Sequence, residues 1–130
     1  MSTQDEQFYR EYILDHYKNP RNYGRLEAPT LSHEEDNPLC GDVIGIDLQV
    51  SDGQIEDVRF HGRGCAISQA SASLLTERLK GMPLDDARKI GKEDVLEELG
   101  IEISPARLKC ALLSLKVLKV GAYGLNQEDE

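Results

Sequence analysis

The sequence contains no long apolar run and no recognisable targeting segment, and these two absences restrict where the protein can work. No window of about 18 apolar residues occurs, which excludes a membrane-spanning helix. Residues 1–7 are polar and acidic. They lack the basic and apolar regions of a signal peptide and the arginines of a transit peptide. We therefore expect a cytoplasmic protein that does not act at a membrane.

The sequence also lacks an excess of positive charge. The formal net charge is −9, which argues against a nucleic-acid partner because phosphates would be repelled. Part of the acidic excess lies in residues 33–36 and 128–130, which we interpret as solvated surface. With 39% hydrophobic and 30% charged residues, the composition is typical of a soluble globular protein. We predict one domain over residues 1–130.

Cysteine is scarce, and its number is odd. Cys40, Cys65 and Cys110 lie 25 and 45 positions apart, so there is no local Cys-x-x-Cys motif. An odd number in a cytoplasmic chain argues for free thiols or metal ligands rather than disulfides. Glycines flank the first two, and backbone can approach a bound group closely there. The alternative is that the cysteines are small buried hydrophobes. With Asp42 nearby, we interpret them as a soft-metal site.

A predicted hairpin brings two of the cysteines together. Residues 43–50 alternate between apolar and polar side chains, residues 51–54 are typical of a tight turn, and residues 55–60 form a second strand. Cys40 precedes the first strand and Cys65 follows the second. Since these ends are neighbours in an antiparallel hairpin, we expect both thiols at one edge of the sheet.

The remaining pattern is mostly helical. Helices are predicted at 5–18, 65–80, 84–99 (in two pieces that meet at Gly91) and 104–120. Cys65 then lies at a helix start and Cys110 in the second turn of the last helix. The helix from residue 65 is rich in small residues, so it can pack closely against its neighbours. Residues 21–39 are expected to be mostly irregular, with a short strand near 30–31.

These positions favour thiolate chemistry. The positive end of a helix dipole favours a thiolate at Cys65 and, more weakly, at Cys110. Arg107 and Lys109 add positive charge beside Cys110, and we assign Lys109 to charge balance. A thiolate can bind a soft metal or attack a persulfide, and the pattern does not separate the two. Asp42 is either a hard, weak ligand at a position that can open, or a turn residue.

The three histidines are weaker ligand candidates. His61 is the closest in sequence to Cys65, but a strand histidine that faces solvent is the simpler interpretation. His33 lies among acidic residues and is interpreted as surface. His16 is interpreted as a packing or capping residue of the first helix.

Four segments resemble the signatures of the U-type iron–sulfur cluster assembly proteins, the SufU, IscU and NifU N-terminal family. They are 15–22 (DHYKNPRN), 37–42 (NPLCGD), 64–73 (GCAISQASAS) and 105–110 (PARLKC). The resemblance covers nearly the whole chain. It implies an α+β fold with a small three-stranded antiparallel sheet and several helices packed on one face.

The resemblance implies two possible activities. IscU-like members are non-enzymatic scaffolds that receive sulfur from a PLP-dependent cysteine desulfurase. They assemble a [2Fe-2S] cluster on three cysteines, here Cys40, Cys65 and Cys110, and pass it to apo iron–sulfur acceptor proteins. SufU-like members bind Zn²⁺ through positions that match these cysteines and Asp42, and act as zinc-dependent sulfurtransferases.

The chain combines features of both branches. Lys109 stands where scaffolds carry a histidine, which favours the transferase, whereas the 45-position spacing lacks the SufU insertion of roughly twenty residues. The cofactor is therefore expected to be Zn²⁺ or a [2Fe-2S] cluster, with a slight preference for the scaffold. A purely structural zinc site is a third interpretation, against which the carboxylate of Asp42 argues. Cys110 is our candidate for the thiol that accepts sulfur.

Overall fold

The protein has an α+β fold, with one helix, then three consecutive strands, then four helices within the described residues. The structure, a computed structural model, describes residues 3–37, 41–87 and 89–123. Its elements in chain order are α1 (Thr3–Lys18), β1 (Leu31–Asn37), β2 (Asp42–Ser51), β3 (Gln54–Arg63), α2 (Ala66–Leu79), α3 (Leu84–Ala87), α4 (Lys92–Leu99) and α5 (Pro105–Tyr123). The predicted fold class is confirmed.

The three strands form an antiparallel sheet in the order β1-β2-β3. Ser51 pairs with Gln54, and the two residues between them, Asp52 and Gly53, have φ angles of 52° and 76°. Two consecutive positive φ values are those of a type I′ turn, whose twist matches that of the flanking strands. The predicted hairpin is therefore confirmed, and its open end carries the starts of β2 and α2.

The expectation that residues 21–39 are mostly irregular is wrong for the second half of that segment. Residues 31–37 form β1, so the acidic run 33–36 is a strand rather than a loop. Alternate residues of this strand, including His33 and Glu35, are only partly exposed, and Glu35 pairs with Lys116 of α5 at 3.7 Å. The period-two pattern was hidden because polar residues occupy both faces. Charged side chains on an edge strand also discourage pairing with other molecules.

Helices α2 and α5 pack on one face of the sheet, and α1 packs against α2. The small residues of α2 allow this close approach: Ser71 Oγ donates to the carbonyl oxygen of Ala111 at 2.6 Å and contacts Ser114 Oγ at 3.3 Å. The largest fully buried apolar side chains come from both layers: Phe60, Ile44, Leu48, Ile55, Leu79, Leu99, Leu118, Val58 and Val117. The small residues thus allow α5, which carries Cys110, to approach α2, which begins directly after Cys65.

On the opposite face, the segment before β1 is held by one buried carboxylate. Asp47 is fully buried and accepts hydrogen bonds from Ser32 Oγ (2.6 Å), Arg25 Nε (3.1 Å) and the backbone N–H of Leu26 (3.1 Å). These three donors compensate for burying the charge. Asp47 therefore anchors the irregular residues before β1 to the centre of the sheet.

Helix α1 forms as predicted but buries fewer of its apolar residues than the pattern indicated. Ile13 is buried, whereas Phe8 and Tyr17 are 62% and 43% exposed. His16 is buried, its Nδ1 lies 2.7 Å from Ser73 Oγ, and Tyr12 packs edge-on against its ring. His16 is thus the packing residue that the sequence indicated. None of the helices within the described ranges has the length and apolarity that a bilayer crossing requires.

Candidate metal centre

Three of the four predicted ligands come together at the open end of the hairpin. Asp42 begins β2, Cys65 directly precedes α2, and Cys110 lies in the second turn of α5. One ligand atom from each lies within 4.8 Å of the others. Asp42 and Cys110 are each 1% exposed, and Cys65 is partly exposed. The fourth predicted ligand, Cys40, lies outside the described residues.

The carboxylate of Asp42 is divided between two tasks. Its Oδ1 accepts a hydrogen bond from the backbone N–H of Cys65 at 3.0 Å, and its Oδ2 lies 3.8 Å from Cys65 Sγ. Cys65 is the N-cap of α2, but its side chain makes no capping hydrogen bond. Asp42 therefore satisfies a backbone donor at the start of α2 with one oxygen, and has the other available for a ligand.

Gly64 makes this arrangement possible. Its φ angle is +152°, a conformation that glycine adopts freely and other residues rarely do. A Cβ built on it would lie 2.2 Å from Asp42 Oδ1 and 2.8 Å from Ser68 Oγ. No side chain fits there unless the carboxylate moves. The sequence indicated a close backbone approach at this glycine, but not that the approaching group is a predicted ligand.

Ser68 is a site residue that sequence reasoning missed. It is buried, donates to the carbonyl oxygen of Cys65 at 3.1 Å, and lies 3.9 Å from Cys65 Sγ. The available signal was its position in the first turn of the helix, three residues after the N-cap, where a serine hydroxyl often bonds to local backbone. Ser68 holds the helix start that presents Cys65.

The donor set fits a soft divalent ion. Two cysteine sulfurs and a carboxylate oxygen are ligands that zinc and iron accept, and the burial of Asp42 and Cys110 limits competition from water. Sulfurs in a tetrahedral zinc site lie roughly 3.8 Å apart, given Zn–S bonds of about 2.3 Å. A group within 4.8 Å therefore needs only a small closure to hold the ion.

The basic residues near Cys110 do not enter this group. Arg107 and Lys109 are exposed, and neither forms an ion pair within the described part of the chain. Exposed charges are screened by salt, so their influence on the site is weaker than that of a buried lysine. Charge balance by Lys109 stays a prediction.

None of the three histidines is part of the ligand group that the described residues form. His61 lies across Gly45 and reaches Glu34 Oε1 at 3.1 Å, a path that is open because Gly45 has no side chain. His33 pairs with Glu35, and His16 is buried between α1 and α2. The interpretation of His61 as facing solvent is wrong in detail, since only 18% of its side chain is exposed.

The chain is similar to known proteins over most of its length. Residues 8–129 match the family model described as the NifU-like N-terminal domain. The zinc-dependent sulfurtransferase SufU of Bacillus subtilis (strain 168) is 39% identical, over 87% of this chain and 88% of the relative. The iron-sulfur cluster assembly scaffold protein IscU of Escherichia coli (strain K12) is also 39% identical, over 85% and 88%.

The fold is also similar to that of a solved structure. The crystal structure of a putative iron-sulfur cluster assembly scaffold protein for the SUF system from Fervidobacterium islandicum AW-1 superposes with a TM-score of 0.73 at 27% identity. The superposition covers 89% of this chain and 97% of that one.

Proposed function

Because the chain belongs to the NifU-like N-terminal domain family, we propose that it is an iron–sulfur cluster assembly protein. It accepts sulfur from a PLP-dependent cysteine desulfurase, assembles or relays a [2Fe-2S] cluster, and passes it to apo iron–sulfur acceptor proteins. The observation that carries the proposal is the convergence of Asp42, Cys65 and Cys110 within 4.8 Å. Cys40 is proposed as the remaining ligand.

The residues of the site would hold and release such a cargo in different ways. The sulfurs bind soft metal strongly, whereas the Asp42 oxygen is the harder and weaker ligand. Because Oδ1 of Asp42 is hydrogen-bonded to the Cys65 N–H at 3.0 Å, Oδ2 can leave a metal while the carboxylate stays in place. Asp42 thus supplies a position that opens without disrupting α2.

Cys110 is proposed as the thiol that accepts sulfur. Its thiolate attacks the terminal sulfur of a donor persulfide, a new S–S bond forms on Cys110, and the donor's S–S bond breaks to release the donor thiolate. Cys110 is 1% exposed, so the donor persulfide has to enter the site to reach it. The partly exposed Cys65 is the natural comparison, since it is easier to reach.

A zinc-dependent sulfurtransferase is the second candidate. Lys109 occupies the position where scaffold members carry a histidine, and no histidine among the described residues joins the ligand group. In this case Zn²⁺ is a resident ion held by Cys40, Asp42, Cys65 and Cys110, and the chain relays sulfur without building a cluster. The relatives do not separate the two candidates, because SufU and IscU are equally similar at 39% identity.

An anaerobic titration separates them. The purified protein, with its metal content measured, is mixed with Fe²⁺, cysteine and a cysteine desulfurase, while visible absorption reports cluster growth. Mass spectrometry then locates added sulfur on each cysteine. A stoichiometric cluster that passes to an apo-ferredoxin supports the scaffold. Tightly held zinc, no cluster, and sulfur on Cys110 support the transferase. If the protein takes up neither metal nor sulfur, both candidates are contradicted.

A further inference from the structure

Three exposed basic residues lie close in sequence to the cysteines of the candidate metal centre. Arg63 lies two residues before Cys65, and Arg107 and Lys109 lie three residues and one residue before Cys110. We call these three residues the basic rim. All are exposed, and none forms an ion pair within the part of the chain that the structure describes. Because Cys65 and Cys110 are close in space, the backbone positions of all three rim residues lie near the candidate metal centre.

Several basic residues elsewhere in the described ranges are neutralised, whereas the basic rim is not. Six of them pair with carboxylates at 2.6–3.7 Å: Arg21 with Asp15, Arg25 with Asp47, Arg59 with Asp57, Arg78 with Glu98, Lys80 with Asp57, and Lys116 with Glu35. In a chain with a net charge of −9, a positive region at the site end opposes the overall charge. Such a local field attracts a negatively charged partner to that end of the molecule.

An exposed aromatic side chain lies beside the rim. Tyr23 is 51% exposed, and its hydroxyl donates to the carbonyl oxygen of Gly62, the residue before Arg63, at 3.0 Å. Its ring packs edge-on against the buried Phe60, with ring centroids 5.2 Å apart. Tyr23 is therefore held in place before any partner arrives. Tyrosine and arginine are enriched among the residues that dominate binding energy at protein interfaces.

We propose that the basic rim and Tyr23 form the docking surface for an acidic face of the sulfur-donating protein. This inference rests on the proposed function, because a sulfur donor has to bring its persulfide to the thiols that the rim surrounds. The net charge of −9 makes an extended polyanion such as nucleic acid an unsuitable partner. A folded protein with a local acidic face gains the attraction of the rim without facing the rest of the negative surface.

The rim and Tyr23 are expected to act on different steps of association. Exposed charges at the edge of an interface change mainly the association rate and its salt dependence. A preorganised aromatic residue in the contact changes mainly the dissociation rate. The two contributions can therefore be measured separately.

The test measures binding of the purified protein to the purified cysteine desulfurase of the same genome, at low and high salt. The rim variant is Arg63→Glu/Arg107→Glu. The matched control is Lys89→Glu/Lys92→Glu, which changes the net charge by the same amount outside the basic rim. Both lysines are exposed, and neither forms an ion pair within the described residues. We expect the rim variant to associate at least about tenfold more slowly at low salt, and the control to change by less than about twofold. The rate of the unmodified protein should fall with salt more steeply than that of the rim variant.

A second pair of variants tests the aromatic contact. Tyr23→Ala should raise the dissociation rate about tenfold or more, as expected for an interface hot spot. Tyr17→Ala, which removes a tyrosine that is 43% exposed on α1, should leave the rate unchanged. Three results would overturn the proposed docking surface. They are equal effects of the two tyrosine variants, equal slowing by the two charge variants, or no binding of the desulfurase at all.

Failure of the docking surface can be distinguished from failure of the proposed function. Zinc affinity, and sulfur uptake from a low-molecular-weight persulfide, are measured on the same samples without the desulfurase. A rim variant that retains both but associates slowly supports the docking surface. If the rim variant loses zinc, Arg63 and Arg107 belong to the metal site, and the proposed docking surface is overturned. An unmodified protein that takes up neither zinc nor sulfur contradicts the function itself.

Discussion

Replacing Gly64 with alanine tests whether the candidate site depends on the position of the Asp42 carboxylate. The new methyl group would lie 2.2 Å from Asp42 Oδ1, so the carboxylate has to move away from the Cys65 N–H. Losing a hydrogen bond to a charged group costs roughly 1.5–3 kcal/mol. The unfavourable φ of +152° adds about 1–3 kcal/mol for a residue with a side chain. We expect a destabilised protein whose affinity for zinc is also reduced.

Gly24→Ala is the matched control. Gly24 has a similar φ of +135°, but a Cβ there would meet nothing within 4 Å. Both variants therefore carry backbone strain, and only Gly64→Ala displaces a proposed ligand. The difference between them in free energy of unfolding should be roughly 1.5–3 kcal/mol.

Urea denaturation measures the stability difference, and competition with a chelator measures zinc affinity. If the lost interaction falls on the metal-bound state, the affinity of Gly64→Ala should be about 10- to 100-fold below that of Gly24→Ala, since 1.4 kcal/mol corresponds to tenfold. Equal stability and equal zinc affinity of the two variants would refute the role of Asp42 at the start of α2.

Three further predictions concern single residues. Lys109→Ala should weaken metal retention without unfolding the chain, and unchanged zinc affinity in a chelator titration would remove Lys109 from the site. Burial lowers the pKa of His16 below its usual 6.5, so the contribution of His16 to stability is present above that value and is lost as the pH falls. In His16→Gln, the melting temperature should therefore change less between pH 5 and 7 than it does in the unmodified protein. Although burial raises the pKa of Asp47, hydrogen bonds from Ser32, Leu26 and Arg25 hold it below 3.8. Asp47→Asn should lower the free energy of unfolding, measured by urea denaturation at neutral pH, by roughly 2–3 kcal/mol. An unchanged stability would contradict the anchoring role.

The parts of the fold that the sequence predicted are those with strong local signals. The turn at Asp52 and Gly53 needs two positive φ values, which this residue pair supplies readily. The break at Gly91 and the helix start near Pro105 are likewise set by local backbone chemistry. The convergence of Asp42 and Cys65 follows from the hairpin, and Cys110 joins them because α5 packs on the same sheet.

The parts that the sequence did not predict depend on partners that are distant in the chain. Strand β1 carries Glu35 on its helix-facing side, where Lys116 of α5 pairs with it, and no local pattern reveals that partner. The double role of Asp42 depends on Cys65, 23 positions away. Ser68 is the exception, because its partner Cys65 is only three residues away and its position in the first turn of α2 gave a local signal. Sequence reasoning therefore proposed four ligands, three of which lie together in the structure, but not the contacts that orient them.

X-ray absorption of the zinc-loaded protein reports the metal ligands themselves. We expect three sulfur ligands at about 2.3 Å and one light atom at about 2.0–2.2 Å, without the outer-shell scattering of imidazole. Cys110→Ser should reduce the sulfur count by one, and Asp42→Ala should change only the light-atom shell. Imidazole scattering, or three sulfurs that persist in Cys110→Ser, would contradict a site built from Cys40, Asp42, Cys65 and Cys110.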